Sequence, residues 1–377
     1  MKKTPLMAIV VLCLAVSVAV IGFMFTTKES TAPQEANPFV QVGDVTSKWN
    51  QSAHADASSS AFRHWDEDGE IPVDCARCHA STGMLDYLGA DGTAAGVDMP
   101  AKLGSVVDCS ACHNEVIANT TAVTFPSQME VEVASANASC FTCHQGMEGG
   151  INGRMDNLIG TTGLDEKAES LRAVDPHYLN VAGLNMGSES NAGYQYEGKV
   201  YAARFEHANS VETCTDCHDP HTLHLADPGI EKCSMCHAEV VSWPDLKKIR
   251  RTKADLDGDG NTSESTFDEI DGLLKRTEEA LKLYSKDNAD AQIGIVDHYP
   301  YWFMDANGNG AQDEGEGSYK DWTPRMMHAA FNYKLVKTTG AFVHNPVYAA
   351  QLLIDSIEDL ASSNPSISAD GLKRPEG

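Results

Sequence analysis

The sequence predicts a mainly α-helical fold with long irregular loops, preceded by one N-terminal transmembrane helix. Three observations lead there. Residues 6–25 are 20 nearly all-apolar residues without a charge, enough to cross a hydrocarbon core as a helix. Only 7% of the 377 residues are aromatic, which is low for a side-chain core of this size. Ten of the eleven cysteines fall in five copies of one pattern, C-x-x-C-H, which points to bulky prosthetic groups filling the interior instead.

The copies are Cys75/Cys78/His79, Cys109/Cys112/His113, Cys140/Cys143/His144, Cys214/Cys217/His218 and Cys233/Cys236/His237. The pattern reads as a c-type haem attachment site. Two thiols about one helical turn apart can each add to a vinyl group on one porphyrin edge. The following histidine then swings under the ring as the proximal iron ligand. A zinc ribbon also uses C-x-x-C pairs, but does not require histidine after every second cysteine. A redox-active dithiol needs one such motif in a βαβ context. Disulfides would not hold ten cysteines at one spacing. The expected cofactors are therefore five covalently bound haem c groups, whose flat apolar faces become part of the core.

From the N-terminus, Lys2 and Lys3 precede the apolar run and should stay inside while the bulk of the chain crosses. Residues 1–27 are thus read as a single-pass anchor. The alternative is a cleaved signal peptide, with Ser17, Val18 and Ala19 as a small-residue site. Either way the haem region lies on the periplasmic or extracellular side, where c-type haem is attached. Residues 28–53 are a polar linker. Residues 54–254 form the haem region, with intervals of 34, 31, 74 and 19 residues between motif starts.

Residues 255–322 carry 17 acidic and five basic side chains, a net of −12 out of −26 for the whole chain. Two loops in this acidic module resemble the EF-hand calcium loop. In one, Asp305, Asn307 and Asn309 would ligate by side-chain oxygens, Ala311 by its carbonyl and Glu316 as the bidentate ligand, with Gly310 making the sharp turn. The other opens alike with Asp255, Asp257 and Asp259. Its twelfth position is Thr266, so Asp268 or Glu269 would have to substitute. The bland reading of both is a pair of Asx-Gly turns on an acidic surface. Phe267, Ile270, Leu274, Leu281 and Tyr284 give the intervening segment a helical apolar face. Residues 323–377 complete the haem domain with helices starting at Thr323-Pro324 and Asn345-Pro346, proline taking the first helical position.

Nine histidines remain after the motifs, and the surplus favours bis-histidine ligation, which leaves an iron no open position. His54, His177, His207, His221 and His344 are the candidate distal ligands. His64 and His224 are reserves, His328 reads as a packed core residue, and His298 is unassigned. The net charge argues against nucleic acid or anionic lipid as a partner and permits a basic redox protein. Oligomeric state is not legible.

The stretches CARCHASTGMLDYLGADG, CTDCHDPH and WTPRMMHAAFNYKLVKTTGAFVHNPVYAAQLLIDSIEDL resemble membrane-associated polyhaem (multihaem) c-type cytochromes. More distantly they resemble the group containing pentahaem nitrite reductase and hydroxylamine oxidoreductase. The resemblance covers most of residues 54–360. It implies electron transfer at the outer face of the membrane and supports His221, in C-x-x-C-H-x-P-H, and His344, in H-N-P, as distal ligands. The nitrite reductases often carry a lysine-ligated C-x-x-C-K haem, whereas all five motifs here end in histidine. No cross-linking tyrosine of the hydroxylamine oxidoreductase kind is identified.

The expectation is therefore an electron-transfer protein in a respiratory or extracellular chain, with redox partner proteins such as a membrane quinol-oxidising complex, and with no catalytic residue assigned. One alternative is a periplasmic reductase of a small nitrogen or sulfur oxyanion. It needs one open haem, with Arg63, His64 and Arg77 as pocket candidates. The other is a haem-filament subunit whose distal ligand comes from another chain.

Overall fold

Short helices and loops dominate the region of the C-x-x-C-H motifs because each motif needs only one helical turn, and caps start two of those turns. The computed structural model describes residues 38–376 apart from 209–210, 227–228, 252 and 289–291. The expected transmembrane helix and Cys13 lie outside the described residues. Among those described, no helix is long and apolar enough to cross a membrane. The chain divides into residues 1–47 and a compact unit, Lys48–Gly377.

After α1 (Pro38–Trp49) and α2 (Ser60–Arg63), β1 (Glu70–Ile71) leads into α3 (Val73–His79) and α4 (Ser81–Leu88). Strand β2 (Ala101–Lys102) pairs antiparallel with β1. This corner buries Trp65, Ile71, Ala76, Ala80 and Ala101 together. Next come α5 (Cys109–Cys112) and α6 (Glu115–Ala118), each capped at its N-terminus by a side chain, Asp108 and Asn114 respectively. The hairpin of β3 (Ala122–Thr124) and β4 (Glu130–Glu132) sets Val123 opposite Val131. Both face a second core with Phe125, Phe141 of α7 (Ser135–Cys143) and Ala182 and Met186 of α9 (Val181–Met186), beyond α8 (Arg154–Ile159).

Two further motif helices follow, α10 (Cys214–Cys217) and α11 (Ile230–Ser234). The largest core belongs to the C-terminal part: α12 (Thr266–Asn288), the hairpin β5 (Ile293–Ile295)/β6 (Trp302–Met304), α13 (Pro324–Lys337), α14 (Ala341–His344) and α15 (Pro346–Ser363). Helix α13 is buried on nearly every side, which marks a central helix rather than an amphipathic surface one. Its polar groups are satisfied inside: Asn332 accepts from Tyr194 N at 2.7 Å and donates to Tyr194 O at 3.0 Å. The predicted helical, loop-rich architecture holds, and among the described residues three two-stranded sheets are added to it.

Candidate haem sites

Four of the motifs place both cysteines, three residues apart, on one helical turn, so the two thiols face the same way and the histidine follows beneath. The fifth is built differently. Helix α11 holds Cys233 but ends at Ser234, so Cys236 lies beyond it, exposed. A tighter i to i+3 turn takes over there, with Cys236 N donating to Cys233 O at 3.1 Å. That bond keeps Cys236 one turn from Cys233 without a continuing helix. Cys109 and Cys112 are exposed too, and the other seven described cysteines are half-buried. Cys109 and Cys112 stand on a four-residue helix, and Cys236 lies just past a five-residue one. The ten described cysteines form no disulfide.

The backbone closes each turn. The N–H of His113, His144, His218 and His237 donates to the carbonyl of its own first cysteine at 2.7–2.9 Å. His79 ends α3 itself. Two turns are started by local caps: Asp108 accepts from Ser110 N at 2.8 Å, and Thr213 with Asp216 forms a capping box.

Motifs distant in sequence meet through their thiols. Cys78 Sγ lies 3.9 Å from Cys143 O, and Cys143 Sγ 3.8 Å from Arg77 O, so the first and third motifs are back to back. A hydrogen bond from Cys143, helped by Arg77, lowers the Cys78 thiol to about 6 and raises that of Cys143. Cys140 and Cys214 form a similar pair between the third and fourth motifs, lowering Cys140 to about 7 and raising Cys214.

The histidines fall into facing pairs. Ring centroids of His79 and His177 are 6.1 Å apart, His113 and His221 6.3 Å, His144 and His54 6.1 Å, and His237 and His207 6.4 Å. His344 is near enough to His218 for that ring to depress its basicity. Face-to-face packing is far closer: His328 stacks on Tyr194 at 3.5 Å. Two imidazoles ligating one metal from opposite sides, with bonds near 2 Å, set their centroids about 6.3 Å apart. The four measured gaps match that spacing, so the residues fit a six-coordinate haem iron.

Several rings are also oriented for the task. Nδ1 lies 2.7 Å from Ala61 O in His79, 3.0 Å from Leu223 O in His218, 2.6 Å from Thr339 O in His344 and 2.9 Å from Ala208 O in His207. A carbonyl only accepts, so Nδ1 carries the proton and Nε2 is left for a metal. Burial lowers the basicity of His79, His144, His177 and His344, and burial with His144 nearby takes His54 down to about 4. The neutral form they keep is the one that ligates.

Neither reserve is in one of these ring pairs, though His64 is near enough to His79 to lower its basicity. His64 meets Trp65 edge-on at 5.1 Å, and the His224 carbonyl closes the turn after the fourth motif, accepting from Asp219 N. His298 O accepts from Tyr301 N at 2.7 Å. Arg63 pairs with Asp66 at 2.7 Å, and Arg77 lies over the Tyr87 ring at 4.9 Å beside an open cavity lined by Phe125 and Met147.

The two acidic loops differ. In the 305–316 loop the carboxylates are occupied by backbone: Asp305 accepts from Asn309 N and Gly310 N at 3.1 and 2.9 Å, and Glu316 from Ala306 N and Asp313 N at 2.8 and 2.9 Å. Asn307 and Asn309 turn their amide nitrogens to Asp313. In the other loop, Asp255 and Asp257 converge with Glu269 of α12.

Five C-x-x-C-H turns, four of them with a second histidine ring facing the motif histidine, make up the candidate site, and sequence comparison finds the chain similar to polyhaem c-type cytochromes. It is 26% identical over 399 residues to C-type polyheme cytochrome OmcC of Geobacter sulfurreducens, covering 89% of this chain and 49% of that protein. It is 25% identical over 371 residues to C-type polyheme cytochrome OmcB of the same species, covering 80% and 46%. The chain thus spans about half the length of the curated relatives it matches. No family model and no solved structure matches it.

Proposed function

We propose that this chain is an electron-transfer protein carrying five covalently bound haem c groups outside the cytoplasmic membrane, in a respiratory or extracellular chain. The observation that carries the reading is that four motif histidines each face another histidine at iron-spanning distance, with His344 near the fifth, His218. Haem iron supplies one-electron exchange between its ferric and ferrous states. The chain's residues do the rest. Ten cysteines form the thioethers. His79 with His177, His113 with His221, His144 with His54, His218 with His344 and His237 with His207 hold the irons. Backbone carbonyls fix the ring tautomers of His79, His207, His218 and His344.

Membrane attachment through residues 1–27 and docking of redox partners, such as a quinol-oxidising complex, belong to the same reading. So does calcium on Asp305, Asn307, Asn309, Ala311 and Glu316 and on Asp255, Asp257 and Asp259. The acidic surface suits a partner with a basic face. The test is electron paramagnetic resonance on the oxidised protein, with haem counted chemically on the same sample. Five low-spin haems are expected. One high-spin haem would turn the reading to an oxyanion reductase, and fewer than five haems would overturn it.

A further inference from the structure

The loop DLDGDGN, residues 255–261, runs toward α12 and brings acidic side chains together from both. Oxygens of Asp255, Asp257 and Glu269 lie within 4.8 Å of one another, as do those of Asp257, Asp259 and Glu264. Asp257 belongs to both groups. Asp257 is 5% exposed and Glu269 0%.

Most carboxylate oxygens here shape the loop. Asp255 accepts from Gly258 N and Gly260 N at 2.6 and 2.9 Å, and Glu269 Oε2 from Leu256 N at 2.6 Å and Asp257 N at 3.3 Å. Glu269 Oε1 is different: it is buried and has no hydrogen-bond donor, and the same holds for Glu264 Oε1. The nearest cation to Glu269 Oε1 is Arg250 Nη1 at 3.6 Å, beyond hydrogen-bond reach. That same nitrogen donates to the Glu264 carbonyl. A buried carboxylate oxygen left without a donor is costly.

The helix also makes room for this arrangement. A Cβ at Gly272 would fall 1.6 Å from Asp257 Oδ2. Glycine inside a helix is unfavourable by about 1 kcal/mol against alanine, and here it lets the carboxylate lie against the backbone of α12.

We infer that Asp255, Asp257 and Glu269, with Asp259 and Glu264 beside them, form a site for one divalent cation of the calcium class. Only oxygen donors are offered, which selects a hard cation. The missing twelfth-position ligand of the loop is replaced by Glu269, three residues further on and one turn into the helix. The cation would tie the loop to α12. The inference rests on the calcium part of the proposed function and not on its haem part.

The experiment is calorimetric titration of chelator-treated, haem-loaded full-length protein with calcium chloride, beside its thermal midpoint with and without calcium. Glu269→Gln and Asp257→Asn should each remove one bound calcium per chain and abolish its share of the rise in midpoint. Asp305→Asn should leave that site intact. The exposed Asp259→Asn guards against misfolding of the buried variants and should weaken calcium binding at least tenfold. The proposal is overturned if the wild type takes up no calcium at millimolar concentration. It is equally overturned if Glu269→Gln and Asp257→Asn bind as the wild type does, or if only Asp305→Asn loses calcium. An unchanged haem count in every variant separates these results from a failure of the haem reading.

Discussion

His177 is held at φ +73°, flanked by Leu179 at +52°, in a region that side-chain-bearing residues rarely occupy. Asp175 fixes the turn by accepting from His177 N at 2.7 Å. His177→Ala should leave the fold in place and convert one haem in five from low to high spin, read by electron paramagnetic resonance. An unchanged spectrum would mean that His79 has another partner. The ring planes carry a second expectation. His113/His221 and His144/His54 are nearly parallel, at 10° and 16°, while His79/His177 are at 80°. Where surrounding hydrogen bonds hold these rings, the oxidised spectrum should separate near-parallel from near-perpendicular pairs, the latter giving the most anisotropic low-spin line. The C-x-x-C-H turns were legible from spacing alone, and five further histidines were candidates from their local contexts. Their local geometry was less so, since nothing in the spacing of Cys233 and Cys236 says that the helix stops between them. Partnership was not legible at all. His54 precedes the first motif by 21 residues yet faces His144 of the third, because tertiary packing and not sequence order brings them together.

At the scale of elements, the C-terminal helices were readable because their starts are chemically marked. Thr323 Oγ1 accepts from Met326 N at 3.3 Å and Asn345 Oδ1 from Tyr348 N at 3.1 Å, each just before a proline at the first helical position. The face read on α12 is also there, with Ile270, Leu281 and Tyr284 buried, though Leu273 was missed. The hairpins were not readable, since strands of two or three residues carry no period. Buried Arg325 joins α13 to Asp165 at 2.7 Å and to Asp359 of α15. Arg325→Met strands the half-buried Asp359 and should cost about 3–5 kcal/mol in chemical unfolding. His328, on the same helix, is lowered to about 3 by burial and by Arg325. The unfolded chain takes up that proton near pH 6.5 and the folded one not until about 3. Stability should therefore be full above pH 6.5 and fall toward pH 3, by up to about 1.4 kcal/mol per pH unit. His328→Phe, which keeps the stack on Tyr194, should flatten that acid limb.

For the whole molecule, the sequence made acidity and helical character legible. It left open how three separate clusters of buried side chains share one chain. A net charge of −26 should make association with a basic redox partner fast at low salt and at least tenfold slower near 0.15 M, measured by stopped-flow reduction. No salt dependence would place the docking surface away from the acidic face.

The histidine pairs have a consequence for how such a chain comes to be folded. Under the proposed ligation they close the segments 54–144, 79–177, 113–221, 207–237 and 218–344, and each overlaps the next. Every haem is then a staple between remote stretches, fixed by thioethers at one end and by a coordinate bond at the other. Closing loops near 100 residues long removes about 4–5 kcal/mol of unfolded-state entropy apiece in the chain-entropy model. Because the loops interleave, no stretch between His54 and His344 reaches its final partners until several haems are in place. Assembly becomes a question of the order in which cross-links are made, and loss of one haem should loosen regions well beyond its own motif.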